Sequence, residues 1–287
     1  MKTRDCKGSP FFVARNAPPC YTGSMIRKIT REEAAAFSFS NDAEAITFHK
    51  MRQLLTVSDA LCLSDGKDLL FVRAGQSFPA WIYTRRGVSD ELLNELAASL
   101  CVLKETKNLA GVIGKSSLVR YLELAVPFPT KRRLPLTAYL IGRTERFSAE
   151  GERVPASALD PAVCGEILAQ LGEQARKPLP EAARLAAGTD FCSCPDAYGW
   201  CINGTIVALV RFHERKDGLA YIGSVVTDAA HRGHGYAKAL VSSVCADAYA
   251  RGERTMLYAD TSYPASNALY RSIGFVEAGR LIGFDFR

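Results

Sequence analysis

Tyr221-Ile222-Gly223-Ser224-Val225-Val226-Thr227 is an apolar run rich in β-branched residues, and it leads directly towards His231-Arg232-Gly233-His234-Gly235-Tyr236-Ala237. The first segment reads as a strand. After the second, Ala237, Leu240, Val241, Val244, Cys245 and Ala248 recur at three- and four-residue spacing, which predicts a helix that stops at Gly252. A strand, a glycine-rich turn and a helix together make a device for holding phosphate. The first turn of a helix has unpaired N–H groups and the positive end of the helix dipole. Glycines let the backbone present those groups to an anion. The turn is not a P-loop, because no Gly-Lys-Ser/Thr follows it. It is also a poor dinucleotide fingerprint, since Lys238 stands where the third glycine belongs.

The downstream sequence narrows the choice. Thr255-Met256-Leu257-Tyr258-Ala259-Asp260 reads as the next strand, and a second helix pattern runs from Pro264 to Ile273 before Gly274-Phe275. Arg-Gly-x-Gly-x-Ala after a strand resembles motif A of the Gcn5-related N-acetyltransferase (GNAT) superfamily. Asn267-x-x-Tyr270-x-x-x-Gly274-Phe275 resembles motif B of the same superfamily.

That resemblance implies a mixed α/β fold with acetyl-CoA as donor. The backbone N–H groups of Gly233, His234, Gly235, Tyr236, Ala237 and Lys238 would hold its pyrophosphate, with Arg232 at the mouth. His234 and Tyr236 are variable positions, whose side chains are expected in solvent or in side packing. Val225, Val226 and Thr227 match the segment whose main chain pairs with pantetheine, and an N–H there would polarise the thioester carbonyl. Asn267 would bond the pantetheine arm. Tyr270 would give a proton to the departing thiolate. Many members carry a Glu on the strand before the turn, whereas this strand offers Gly223 and Ser224. Asp260 is then the foremost candidate base, ahead of Asp228, His213 and Glu214.

Composition sets wider limits. The chain has 287 residues, 48% hydrophobic and 23% charged, with a net charge of +6, which suits two globular domains and an anionic ligand. No long basic run points to nucleic acid. No apolar run approaches the ~20 residues of a membrane span. Nine cysteines are scattered without a secretory segment, so reduced thiols in a cytoplasmic protein are expected. Cys192, Cys194, Cys201 and His213 have weak zinc-site spacing, and no metal is expected.

In chain order, residues 1–24 read as an irregular tail. Residues 25–144 read as an α/β domain whose element order is GNAT-like, without an Arg-x-x-Gly-x-Gly/Ala turn of its own. It contains a helix over 43–55, a strand over 136–141, and Lys131-Arg132-Arg133 in a solvated loop. The polar stretch 143–157 marks the boundary. Residues 145–287 form the GNAT-like domain, with helices over 161–176 and 181–187 and a hairpin turning at Asn203-Gly204.

The expected activity is transfer of an acetyl group from acetyl-CoA to a primary amine on a small molecule or peptide, possible as a homodimer. Two alternatives stand beside it: a non-catalytic acyl-CoA sensor or interaction module, and a transferase using another acyl donor.

Overall fold

The computed structural model describes residues 24–75, 78–133, 135–174 and 178–287. The tail expected before Met25 therefore lies, Ser24 apart, outside the described residues. The chain divides into two compact units. One takes the residues up to Ser40, Phe48–Arg133 and Ile282–Arg287, and the other takes Asn41–Thr47 and Leu134–Leu281. The division falls ahead of the polar stretch 143–157.

The first unit contains β1 (Arg27–Ile29), α1 (Arg31–Ala35), α3 (His49–Leu54), β2 (Leu61–Ser64), β3 (Leu69–Arg73), β4 (Ala80–Thr84), α4 (Asp90–Lys107), β5 (Gly111–Gly114), α5 (Ser116–Ala125) and β6 (Thr130–Arg132). α2 (Asp42–Thr47) belongs to the second unit. The sheet of the first unit runs β1-β2-β3-β4-β5 and continues onto residues 282–286 of β13 (Val276–Phe286), which also pair β6. Among the described residues of this unit only β4 and β5 pair in parallel, with α4 between them in sequence. Ser89 caps α4 by accepting from Leu92 N (3.2 Å), and Leu92, Leu96, Leu100 and Leu103 bury one stripe of the helix. That stripe joins Phe71, Ile82, Val112 and Leu118 in one core.

Two expectations change here. The helix expected over 43–55 is broken at Phe48, which is fully buried and rings with Phe39 and Tyr83. Burial of that ring outweighs continuation of the helix. Lys131-Arg132-Arg133 is not a solvated loop. Lys131 and Arg132 lie in β6, paired with Asp285 and Phe284, because the last strand offers an edge that local sequence does not reveal. Arg132 pairs with Glu123 (2.9 Å) and Arg133 with Asp285 (2.5 Å).

The second unit contains β7 (Leu136–Ile141), β8 (Glu152–Pro155), α6 (Pro161–Gln174), α7 (Glu181–Cys192), β9 (Ala197–Ile202), β10 (Thr205–Lys216), β11 (Leu219–Thr227), α8 (Tyr236–Ala250), β12 (Arg254–Asp260), α9 (Pro264–Ile273) and residues 276–281 of β13. Its strand order is β13-β7-β12-β11-β10-β9-β8. The strand over 136–141, expected to close the first domain, instead pairs with both β12 and β13. The hairpin forms at Asn203-Gly204, with both residues at positive φ (48° and 80°), as a two-residue primed turn requires. One sheet face packs on α8 and α9 through Val210, Ile222, Leu240, Val244 and Ile273. The other packs on α6 and α7 through Ile167, Phe191, Leu209 and Val226.

β11 changes faces along its length. Ala220 and Ile222 belong to the α8 core, yet Val226 belongs to the α6–α7 core. Strict alternation would keep all three on one side. The switch is a bulge. Leu209 pairs Val226 but Arg211 pairs Gly223, so β11 carries one extra residue there, and Ser224 takes φ 52°.

Candidate functional site

β11 parts from β12 just ahead of its bulge. Their parallel pairing covers Leu219–Tyr221 against Arg254–Met256, while β12 runs on to Asp260 with only β7 beside it. Two adjacent strand edges are thereby opened at their C-terminal ends. The main chain of Val225, Val226 and Thr227 lies on one of them. Val225 packs against the α8 core and Val226 is buried on the other face, so main chain rather than side chain is what this segment can offer a ligand.

The glycine turn follows directly. Asp228 leads into a 3₁₀ turn at Ala229–His231, then Arg232, Gly233, His234 and Gly235, then α8. Gly233 (φ 85°) and Gly235 (φ 83°) sit in the left-handed region, where a Cβ is strained, and a Cβ at either would meet nothing within 4 Å. Open space therefore lies over both. Gly235 is the N-cap of α8, no side chain caps the helix, and its first turn carries no acidic residue. The first N–H bonded back into the helix is that of Ala239, to Gly235 O (3.0 Å). The N–H groups before it are the orphan donors of a helix start, at the positive end of its dipole.

The side chains of the turn are arranged as follows. Arg232 is exposed, and its Nε donates to Thr227 O (3.2 Å). His234 is exposed and stacks on the ring of Tyr236, with centroids 5.5 Å apart. Tyr236 is buried in the α8 core, so its variable position serves packing. Lys238 lays its ammonium 3.8 Å from the centroid of Phe147, a cation–π contact. Ala237 is half-buried in the first helical turn.

The second group lies on α9 and at the end of β12. Asn267, Tyr270 and Ile273 form the buried face of α9, and Gly274 (φ 108°) ends the helix. Asn267 was expected on the pantetheine arm, but both ends of its amide are committed within the protein. Nδ2 donates to Asp260 O and Tyr263 O (2.7 Å each), and Oδ1 accepts from Tyr139 OH (3.0 Å). It ties the end of β12 to the start of α9 and to β7. Tyr270 is buried between Tyr139 and Phe275, with centroids at 6.1 and 5.8 Å. Burial pushes its phenol well above the ordinary tyrosine range, and the nearby Cys245 acts in the same direction.

Asp260, the foremost candidate base, has Oδ1 held by Ser262 N (2.8 Å) and Ser262 Oγ (2.7 Å). His213 stands on β10 with its ring over Gly223, where a Cβ would lie 2.5 Å from Nε2, and 5.4 Å from the ring of Tyr221. Asp228 is engaged through both oxygens, by Gln170 Nε2 (2.8 Å) and His231 Nδ1 (2.7 Å). Among the described residues no group of three or more His, Cys, Asp or Glu could hold a metal ion, and no helix is long and apolar enough to cross a membrane.

Sequence reasoning missed Gln170, which is an unremarked polar residue within a helix pattern. It also missed Tyr139, because its strand was assigned to the wrong domain. Tyr263, whose hydroxyl donates to Gln174 O, carries no sequence signal either.

Comparison with known proteins gives the following. Residues 168–275 match the acetyltransferase (GNAT) family. The structure is similar to a GCN5-related N-acetyltransferase from Sphaerobacter thermophilus, at 18% identity over 91% of this chain and 94% of that one, TM-score 0.62. It is similar to another from Kribbella flavida, at 14% identity over 86% and 96%, TM-score 0.59. It is also similar to a tandem GNAT protein from the clavulanic acid biosynthesis pathway, at 11% identity over 91% and 97%, TM-score 0.52. At such identities the likeness is one of fold, and it extends over most of the chain. No curated protein matches the chain in sequence.

Proposed function

We propose, from the match of residues 168–275 to the acetyltransferase (GNAT) family, that the protein moves an acetyl group from acetyl-CoA to a primary amine. The observation that carries this reading is the glycine turn. Gly233 and Gly235 hold positive φ beneath open space, at the start of an uncapped helix with no acid in its first turn. Those features fit a pyrophosphate and have no packing purpose.

The residues fit the donor in a definite order. N–H groups of Gly233 to Lys238 take the pyrophosphate, with Arg232 beside them. The unpaired edge of β11 at Val225–Thr227 takes the amide arm by main-chain bonds, leaving an N–H to polarise the carbonyl. Acetyl-CoA supplies the thioester when bound. The amine nitrogen bonds to the carbonyl carbon as the carbon–sulfur bond breaks. Tyr270 gives its phenolic proton to the leaving sulfur, and Asp260, directly or through water, takes the proton that the amine loses. The need of a general acid for a proton at neutral pH is met by the burial of Tyr270.

The deciding experiment is thermal unfolding with and without acetyl-CoA, on the wild type and on Gly235→Asp. A ligand held only by the native state stabilises it by RT ln(1 + [L]/Kd), about 2.7 kcal/mol at a hundredfold excess over Kd. A shift seen in the wild type and lost in the variant supports the reading. No shift in folded wild type at millimolar acetyl-CoA overturns it.

A further inference from the structure

The turn that holds the anion contains a carboxylate of its own. Asp228 is the residue between β11 and the 3₁₀ turn, four positions before Arg232 in a segment otherwise basic or neutral. A free carboxylate beside a pyrophosphate site opposes binding, so its treatment in the structure has consequences for the donor.

Asp228 is held from two sides. Gln170, on the third turn of α6, uses its whole amide on this turn. Nε2 donates to Asp228 Oδ1 (2.8 Å), and Oε1 accepts from Ala229 N (2.8 Å). From within the turn, His231 Nδ1 meets Asp228 Oδ2 at 2.7 Å, and His231 N donates to Asp228 O (2.9 Å). Asp228 N in turn donates to Val207 O (2.9 Å). Gln170 foremost, and His231 after it, hold the Asp228 carboxyl below its ordinary range. Arg232, four residues on, directs its Nε to Thr227 O (3.2 Å) instead.

We infer that Gln170 is a positioning residue for the acyl donor: by pairing with Asp228 and Ala229 it fixes the 3₁₀ turn, and so the direction in which Gly233 to Lys238 present their N–H groups. A glutamine suits this position because it donates and accepts at once. The carboxylate needs a donor and the Ala229 N–H needs an acceptor, and each is met by one end of a single amide. The inference rests on reading the glycine turn as the donor site, and it adds that α6 sets the geometry of that turn from outside it.

The test measures coenzyme A binding by calorimetry on the full chain, as wild type, Gln170→Ala and Gln170→Glu, with the melting temperature and steady-state constants of each. Gln170→Ala should weaken coenzyme A binding about tenfold, the loss of one hydrogen bond to a charged group. KM for acetyl-CoA should rise by a similar factor while kcat stays within about twofold, because the residue touches no reacting atom. Gln170→Glu keeps shape and the acceptor for Ala229 N but sets a second carboxylate against Asp228 Oδ1. Its affinity should be the poorest of the three at pH 8 and should recover as the pH falls and the pair shares a proton, with no matching trend in Gln170→Ala. A residue that only props up α6 would lower the melting temperature without that pH-dependent affinity. Should Gln170→Ala fail to fold, the pH course of Gln170→Glu decides. Wild-type affinity in the variants at all pH values overturns the inference and leaves the donor site standing. Failure of the wild type itself to bind coenzyme A overturns the donor site and the inference with it.

Discussion

Tyr270 owes its chemical character to where α9 places it. It is 7% exposed, against Tyr139 and Phe275, and burial raises its phenol so that it keeps its proton at neutral pH. Tyr270→Phe removes only the oxygen and preserves the packed ring. If the phenol protonates the leaving sulfur, kcat should fall about 10²- to 10³-fold with KM for acetyl-CoA nearly unchanged. An unchanged kcat would assign the residue to packing alone. The same burial makes a prediction for stability. Tyr221 is pushed from 10.0 up to about 12, and Cys245 from 9.0 up to about 12, both by desolvation. For a group whose folded pKa is raised, the stabilisation is whole below the unfolded pKa and is lost as pH climbs towards the folded one. The unfolding free energy from urea titrations should therefore fall as pH rises through 9 to 12, by no more than about 1.4 kcal/mol per pH unit for each group. Cys245→Ala should make that fall shallower at its lower end, whatever its effect at pH 7. A slope identical to wild type would show that Cys245 does not titrate in this window.

At the scale of elements, what could be read from sequence was what local geometry dictates. The β11–turn–α8 unit was legible because positive-φ glycines and a three- and four-residue apolar period leave few alternatives. The hairpin at Asn203-Gly204 was legible for the same reason. Partnership was not. A strand's alternation says that a face is buried and not by what, so Leu136–Ile141 was given to the wrong half and β6 was passed over. The bulge at Ser224 leaves no mark beyond a serine in a strand. The candidate site divided likewise: the glycine turn was legible as local geometry, whereas the partners of Asn267, Tyr139 O–H and two carbonyls, are distant or unmarked in sequence. The crossing of α6 and α7 was invisible too. Gly165 and Gly188 let the helices touch backbone to backbone, and a Cβ on Gly188 would lie 1.8 Å from Pro161 O and 2.7 Å from Gly165 N. Backbone cannot swing aside as a side chain can. Gly188→Ala, normally a favourable change within a helix, should here cost about 1–3 kcal/mol or more. It should be read as a lowered urea midpoint at unchanged m-value. A neutral or stabilising result would mean that the helices part at little cost.

Over the whole molecule, one order of elements occurs twice. In the first unit β4, α4, β5 and α5 follow one another, with β4 and β5 in parallel. In the second, β11, α8, β12 and α9 do the same. The two copies differ at each feature on which the proposed donor site rests. α8 starts uncapped at Gly235, whereas α4 starts at Ser89, whose side chain accepts from Leu92 N, and its first turn carries Asp90 and Glu91. A capped, negative helix start repels anions where the other attracts them. Gly87 (φ 74°) is a single glycine where the second copy has two. β5 stays paired with β4 to its last residue, Gly114, so these strands do not part. Lys115 then spans their ends, donating from Nζ to Thr84 O (3.3 Å) over the ring of Tyr83. Calorimetric titration should accordingly give one coenzyme A per chain. Gly235→Asp should abolish the binding heat and Gly87→Asp should leave it intact. Two equivalents in the wild type, or a site surviving Gly235→Asp and lost in Gly87→Asp, would show that the first unit retains a donor site of its own, despite its capped helix and closed strands.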